Sequence, residues 1–212
     1  MTAIFRLLQL ADGGFPAGGF AHSGGLEAAV ALGEVRDEAA VAAFTAAALW
    51  QAGTFALPFV REAHAAPAAA AVLDACCDAA QSGHVSRRAS RAQGRAWLRT
   101  CGEVFGGAAP ALPFGHLPVV LGLTTAALAV DAADVLVLHL HLTARGVLSA
   151  AVRLGVVGPH AAQRLQDGLG ATADQVLAAC ASRALDDAAH SAPLHELFGN
   201  SHDALPARLF QS

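Results

Sequence analysis

Val135-Leu136-Val137-Leu138-His139-Leu140-His141-Leu142 reads in two ways, and the choice decides the fold class. Its end alternates apolar and polar residues, as a half-buried strand does. A lone strand has no stability of its own, and no second strand pattern stands elsewhere in the chain to pair with it. The octet therefore reads as helix. The wider run from His116 to Leu154 is long and apolar, so a membrane span has to be weighed. Asp131, Asp134, His139, His141 and Arg145 interrupt that run, and the apolar part ahead of Asp131 is short for a span. Two buried helices parted near Asp131 explain it better.

Working outward, the same period recurs on both sides. Downstream, Gly158-Pro159 marks a break, with Pro159 opening a helix to about Leu169. Thr172 then caps a last helix reaching Ala189, with Val176, Leu177, Cys180 and Leu185 on its apolar side. Upstream, Thr2 to Leu10 forms a short amphipathic helix. Asp37 caps a helix that carries Val41, Phe44, Ala48 and Leu49 towards Gln51. Thr54 to Ala65 is helical, and Pro58 inside it predicts a start or a kink. Pro67 opens a helix through Cys77 to Ala80, closed by Gly83. From Ser86 to Val104, Arg88, Arg91, Arg95 and Arg99 recur at three- and four-residue steps and share one face. Such a stripe is ordinarily a solvated face; the sharper reading is a surface for an acidic partner or phosphate. Gly106 to Phe114 is a loop.

Composition agrees with helices. The 212 residues suit one domain with a sizeable core. The 55% hydrophobic share is dominated by Ala, the best helix former. A net charge of -4 gives no reason to expect nucleic acid, and no membrane segment is expected. All 13 basic residues are Arg. Without Lys the chain is neither a P-loop GTPase nor a pyridoxal-phosphate enzyme of the usual kind. Cys76, Cys77, Cys101 and Cys180 lack Cys-x-x-Cys spacing and read as free thiols. With no basic, then apolar, leader visible at the start, the expected setting is the cytoplasm.

One stretch fits none of these elements. Asp12-Gly13-Gly14-Phe15-Pro16-Ala17-Gly18-Gly19-Phe20-Ala21-His22-Ser23-Gly24-Gly25-Leu26-Glu27 is too Gly-rich for a helix or strand interior and too apolar for an idle linker. Ser23 is placed to cap a helix from Ser23 to Leu32. Ala21-His22-Ser23-Gly24-Gly25 also approaches the nucleophile-elbow pattern, but no strand precedes it, so a serine hydrolase using Ser23 is the weaker alternative. Gly168-Leu169-Gly170-Ala171-Thr172-Ala173 matches a dinucleotide fingerprint in letters only, for a polar helix stands where a buried strand should. The ten His show no standard ligand spacing: His139 and His141 fall on different sides of a helix, and His195-Glu196 lacks the second His of a zincin. His190, His195 and His202 could gather near the chain end, which keeps a carrier of a soft divalent ion as a second alternative, nickel being the ion that the resemblance given below would imply. No catalytic residues, cofactor or fixed metal site is assigned. The tail, 191–212, carries Leu194, Leu197, Phe198, Leu205, Leu209 and Phe210, and should dock on its own domain or order on a partner.

The Gly-rich stretch, taken as Asp-x-x-Phe-Pro-x-Gly-Gly-Phe-x-x-Ser-x-Gly-Leu-Glu, resembles the N-terminal signature of the urease accessory protein UreF family. The closing Arg208-Leu209-Phe210-Gln211-Ser212, with Ala192-Pro193-Leu194 and His202 ahead of it, resembles the family's chain end. His116-Leu117-Pro118-Val119-Val120-Leu121-Gly122 and Ala150-Ala151-Val152-Arg153-Leu154 resemble further family stretches in the same order. The resemblance implies an all-α, single-domain bundle of about eight to ten helices over 1–190, with a Gly-rich N-terminal loop and the apolar tail 191–212 for partner binding. It implies a dimeric, non-enzymatic scaffold that bridges UreH (also called UreD) and the nickel-dependent GTPase UreG while nickel is inserted into urease. By position, His202, Arg208, Leu209 and Phe210 in the tail, and Gly18, Gly19, Phe20, Ser23 and Glu27 in the loop, would meet those partners.

Overall fold

The computed structural model describes residues 3–107 and 111–212, so Thr2 and Pro110 lie outside the described residues. Among those described, every regular element is helical. In chain order they are α1 (Ala3–Ala11), α2 (Leu26–Ala31), α3 (Glu38–Gln51), α4 (Leu57–Ala65), α5 (Ala70–Ala80), α6 (His84–Phe105), α7 (Leu117–Ala127), α8 (Ala132–Arg153), α9 (Pro159–Gly168), α10 (Gly170–Cys180) and α11 (Pro193–Ser201). The octet at Val135 lies inside α8. Asp131 caps that helix by accepting from the Ala133 amide at 2.9 Å, and Asp37 caps α3 through the Ala40 amide at 2.8 Å.

Pro58 stands in the first turn of α4, and α3 and α4 run on as one helix from Glu38 to Ala65 through a π turn at Ala52–Ala56. Proline has no N–H, so the turn before it is left with a carbonyl lacking its helical partner. The Thr54 carbonyl accepts instead from the Ala189 amide at 3.1 Å, far along the chain. The Thr54 hydroxyl meets Ser191 Oγ at 2.8 Å, and Gln51 Oε1 accepts from the Ala192 amide at 2.8 Å. A local defect in one helix thereby becomes the dock for the start of the tail.

Other boundaries also differ from expectation. Thr172 lies within α10, which follows α9 with only Leu169 between them. That helix stops at Cys180 rather than Ala189 because the Arg61 guanidinium takes the carbonyls of Cys180 (3.2 Å), Ala181 (3.0 Å) and Arg183. A guanidinium here satisfies carbonyls that a helix end leaves bare.

The core falls into three contiguous clusters. One packs α2, α3, α8, α9 and α10 around Leu49, Leu57, Leu140 and Val176; a second packs α6, α7 and α8 around Trp97, Leu121 and Val135. The third lies between the π turn, α4, α5 and α7, around Phe55, Phe59 and Leu73. Trp97 donates its indole N–H to Thr124 Oγ1 at 3.0 Å, so its one polar atom is paired. At Gly94 the backbones of α6 and the α7 approach come so close that an added Cβ would stand 2.1 Å from the Gly115 carbonyl oxygen. The two helices long and apolar enough to cross a membrane, Glu38–Ala65 and Ala132–Arg153, have 61% and 50% of their most apolar windows buried in this core.

Candidate functional site

The Gly-rich loop and the chain end form a single structure. Ser23 N donates to the Ser212 carbonyl at 2.6 Å and Gln211 N donates to the Ala21 carbonyl at 2.8 Å. The Ser23 hydroxyl adds a bond to the same Ser212 carbonyl at 2.8 Å and accepts from the Glu27 amide at 3.3 Å. Ser23 is therefore not the first cap of α2. Gly25 takes that place at φ 88°, a left-handed conformation in which a Cβ would also press the Gly199 amide of α11 at 3.0 Å. The serine hydroxyl donates to a carbonyl and not to an imidazole, so the arrangement has no nucleophile–base pair at this point.

Glu27 is the anchor. Its carboxylate, only 7% exposed, accepts from His202 Nε2 at 2.9 Å, from the Phe210 amide at 3.2 Å and from the Leu209 amide at 2.5 Å. A buried carboxylate surrounded by three donors escapes the usual cost of a desolvated charge. His202 is fully buried, with Nδ1 unpaired among the described residues. His22 Nδ1 meets Ser212 Oγ at 2.7 Å, and burial, with Arg88 and His202 nearby, pushes its pKa down to about 4.

The outer side is built from cations and rings. The Arg153 guanidinium lies between two aromatic faces, 3.8 Å from the Phe20 centroid and 4.2 Å from that of Phe210. Its Nη1 also donates to the Phe20 carbonyl at 2.5 Å. Phe210 is buried beneath this stack, while Phe20 is 69% and Leu209 54% exposed. Asp203 ties the tail to α6: Arg88 grips it at 2.8 and 3.1 Å, Arg208 at 3.2 Å and His84 at 3.2 Å. The Arg88 hydrogen bond, with the Arg88 charge and His84 adding to it, holds the Asp203 carboxyl down at about 2.

Seven of the nine residues expected to meet partners, Phe20, Ser23, Glu27, His202, Arg208, Leu209 and Phe210, thus gather at this loop–tail junction. Gly18 and Gly19 lie on the loop's inner side, facing Ala96 and Gln93 of α6. The arginine stripe is mostly spent within the chain: Arg88 on Asp203, Arg91 on Asp78 and over the Phe114 ring at 4.6 Å, Arg95 on the Phe114 carbonyl at 3.0 Å. Its acidic partners belong to the same molecule. Of the three histidines near the chain end, His190 pairs with Glu196 at 3.3 Å, His195 meets the Phe44 carbonyl at 3.0 Å, and His202 serves Glu27. Among the described residues, no group of three His, Cys, Asp or Glu side chains could hold a metal ion. Arg153 and Asp203 carry as much of the site as any expected residue. Arg153 lies in one of the family-like stretches, but its role depends on two rings at opposite ends of the sequence.

A profile of the UreF family matches residues 35–170. That covers α3 to α9, with the π turn and Arg153, more than half the chain. This chain belongs to the UreF family. It is 33% identical over 222 residues to urease accessory protein F of Oryza sativa subsp. indica, covering 98% of this chain and 85% of the rice protein. Urease accessory protein UreF of Mycobacterium sp. (strain JLS) is 32% identical over 216 residues, the full length of both. The Arabidopsis thaliana protein of the same name as the rice one is 33% identical over 219 residues, 96% of this chain and 90% of its own. These relatives are named as urease accessory proteins. In this UreF-family chain the loop and the tail that form the junction lie outside the matched region, one before it and one after it.

Proposed function

We propose that this protein is a scaffold for nickel insertion into urease, holding the UreH/UreD accessory protein and the GTPase UreG together through the loop–tail junction. One observation carries the reading. A mostly buried anchor (Glu27, Ser23, His202, Phe210) presents an exposed rim of Phe20, Leu209 and Arg208. Aromatic and Arg side chains held rigidly from below are the kind that dominate binding energy at protein interfaces, since little ordering entropy remains to be lost on contact. The cytoplasm, a homodimer and influence on the partner GTPase belong to the same proposal. So does the division of labour between residues 1–190 as the folded body and 191–212 as the partner-binding segment.

Purified protein, full-length and truncated before Ala204, is to be tested for capture of UreH/UreD and UreG homologues, singly and together. Capture that requires the tail is the expected result. Failure of the full-length chain to capture either partner in any combination would overturn the proposal.

A further inference from the structure

An open cleft of about 530 Å³ runs beside α8, bordered by the Gly-rich loop, α6 and the π turn. Its walls are mostly apolar, with Phe15, Phe55, Leu142 and Val147 among them. Phe20 belongs to the lining and is 69% exposed, so the cleft opens at the rim assigned above to partners.

The charges on these walls are unbalanced. Among the described residues Glu196 is the one acid of the lining, and it is matched by His190, Ser82 and Ser86. Arg145 of α8 is the one arginine of the lining, and only its Nη1 is engaged, donating to the Ala11 carbonyl at 2.6 Å. Its Nε and Nη2 have no partner among the described residues and are not sealed from solvent. These two nitrogens form the edge of a guanidinium that grips a carboxylate by two parallel bonds. Arg88, Arg91, Arg164 and Arg208 each hold a carboxylate of this chain, whereas Arg145 holds none among the described residues. The complement is therefore an acid carried in by an occupant.

Distance sets the size of that occupant. Arg145 stands eight residues before Arg153, whose guanidinium lies 3.8 Å from the Phe20 centroid at the rim. At about 1.5 Å per helical residue the separation is roughly 12 Å, the span of about four residues of extended chain. Gly146, Val147, Ser149 and Ala150 line the cleft between the two arginines. A Cβ at Gly146 would meet no atom within 4 Å, so this wall has room beside it.

We infer that the cleft seats a short acidic segment of a partner protein. An apolar side chain of that segment enters at the Phe20 rim, and a carboxylate about four residues away pairs with Arg145. An uncharged occupant leaves Arg145 unanswered, and a small free acid leaves the rim unused. The inference rests on the scaffold reading above and adds to it the chemistry of the partner segment.

Its test is the affinity of UreH/UreD and UreG homologues, by titration calorimetry, for the full chain and for variants whose fold is checked by circular dichroism. Arg145→Gln, and Gly146→Leu, which fills the cleft, should each weaken binding of at least one homologue about tenfold or more. Arg145→Lys restores the charge without the fork and should recover part of the loss. Affinity of the parent chain should fall with ionic strength more steeply than that of Arg145→Gln, a difference that a purely structural arginine would not produce. With a benzophenone side chain in place of Phe20, light should link the chain to a partner stretch that contains Asp or Glu. Binding undiminished in either Arg145→Gln or Gly146→Leu, or a salt dependence shared by the parent and Arg145→Gln, would overturn the inference and leave the scaffold reading standing. So would a cross-link to a stretch without acid or to a second copy of this chain alone. No binding of the parent to either homologue, singly or together, would overturn both.

Discussion

Glu27 shows how much one side chain can organise. Three donors converge on it from the tail, and among the described residues the Leu209 and Phe210 amides have no second acceptor. Glu27→Gln turns part of that acceptor into a donor facing donors. The expected cost is about 1–3 kcal/mol, concentrated in the tail. Hydrogen exchange should show the Leu209 and Phe210 amides opening about tenfold or more faster than in the parent protein. Histidines carry a second prediction. His22 and His139 have pKa values pushed down to about 4, against an ordinary 6.5. The unfolded chain takes up those protons near pH 6.5 while the fold resists until about pH 4, so their contribution is whole above pH 6.5 and falls as pH drops between these values. Removing the titrating group in His139→Phe should abolish roughly 3 kcal/mol of that acid-side loss, read from denaturant midpoints at neutral and acid pH. Glu27 and Ser23 were legible as site residues because they sit in a short, unusual stretch. Arg153 was not, since a guanidinium between two rings looks, in sequence, like any helix-end arginine.

At the scale of elements, helical period predicted which segments are helices far better than where they end. Asp37 and Asp131 cap as local chemistry dictates, and the octet at Val135 is helix because no strand exists to pair with it. The misplaced ends share one cause: the deciding partner is remote in sequence. Arg61 stops α10, and Pro58, seen from sequence as a start or a kink, follows a π turn whose spare carbonyl holds Ala189. The same dock is set by charge. His190 has its pKa raised by the Glu196 hydrogen bond, and Glu196 has its own lowered by His190. The Glu196 contribution is present above its ordinary 4.5 and lost as pH falls through its lowered value; that of His190 is complete below 6.5 and lost as pH rises through its raised value. Protection of the Ala192 amide, its exchange rate taken relative to that of the unfolded chain at the same pH, should accordingly be greatest between these limits and fall on either side. Gly94 gives the packing test. Gly94→Ala would set a methyl against the Gly115 carbonyl and should destabilise the protein by roughly 1–3 kcal/mol despite the better helix propensity of Ala, lowering its Tm.

For the whole molecule, the Gly-rich loop and the tail are held by the fold rather than left as loose segments. The last residue, Ser212, is buried against Ser23 and His22, and the exposed side chains of the junction stand on that buried base. Family membership was legible because its signature stretches lie in order along nearly the whole chain. The open cleft beneath the loop was not legible, because residues of the loop, the π turn, α6, α7, α8, α11 and the tail all border it. The most direct measurement is the affinity of a UreH/UreD homologue, by titration calorimetry, for the full chain, Phe20→Ser and Leu209→Ser. Both side chains are more than half exposed, so the fold should survive both changes. Loss of affinity by about tenfold or more in each variant, with unaltered circular dichroism, is the expected result. Unchanged affinity in both, from a parent protein that does bind, would contradict the loop–tail junction as the partner surface.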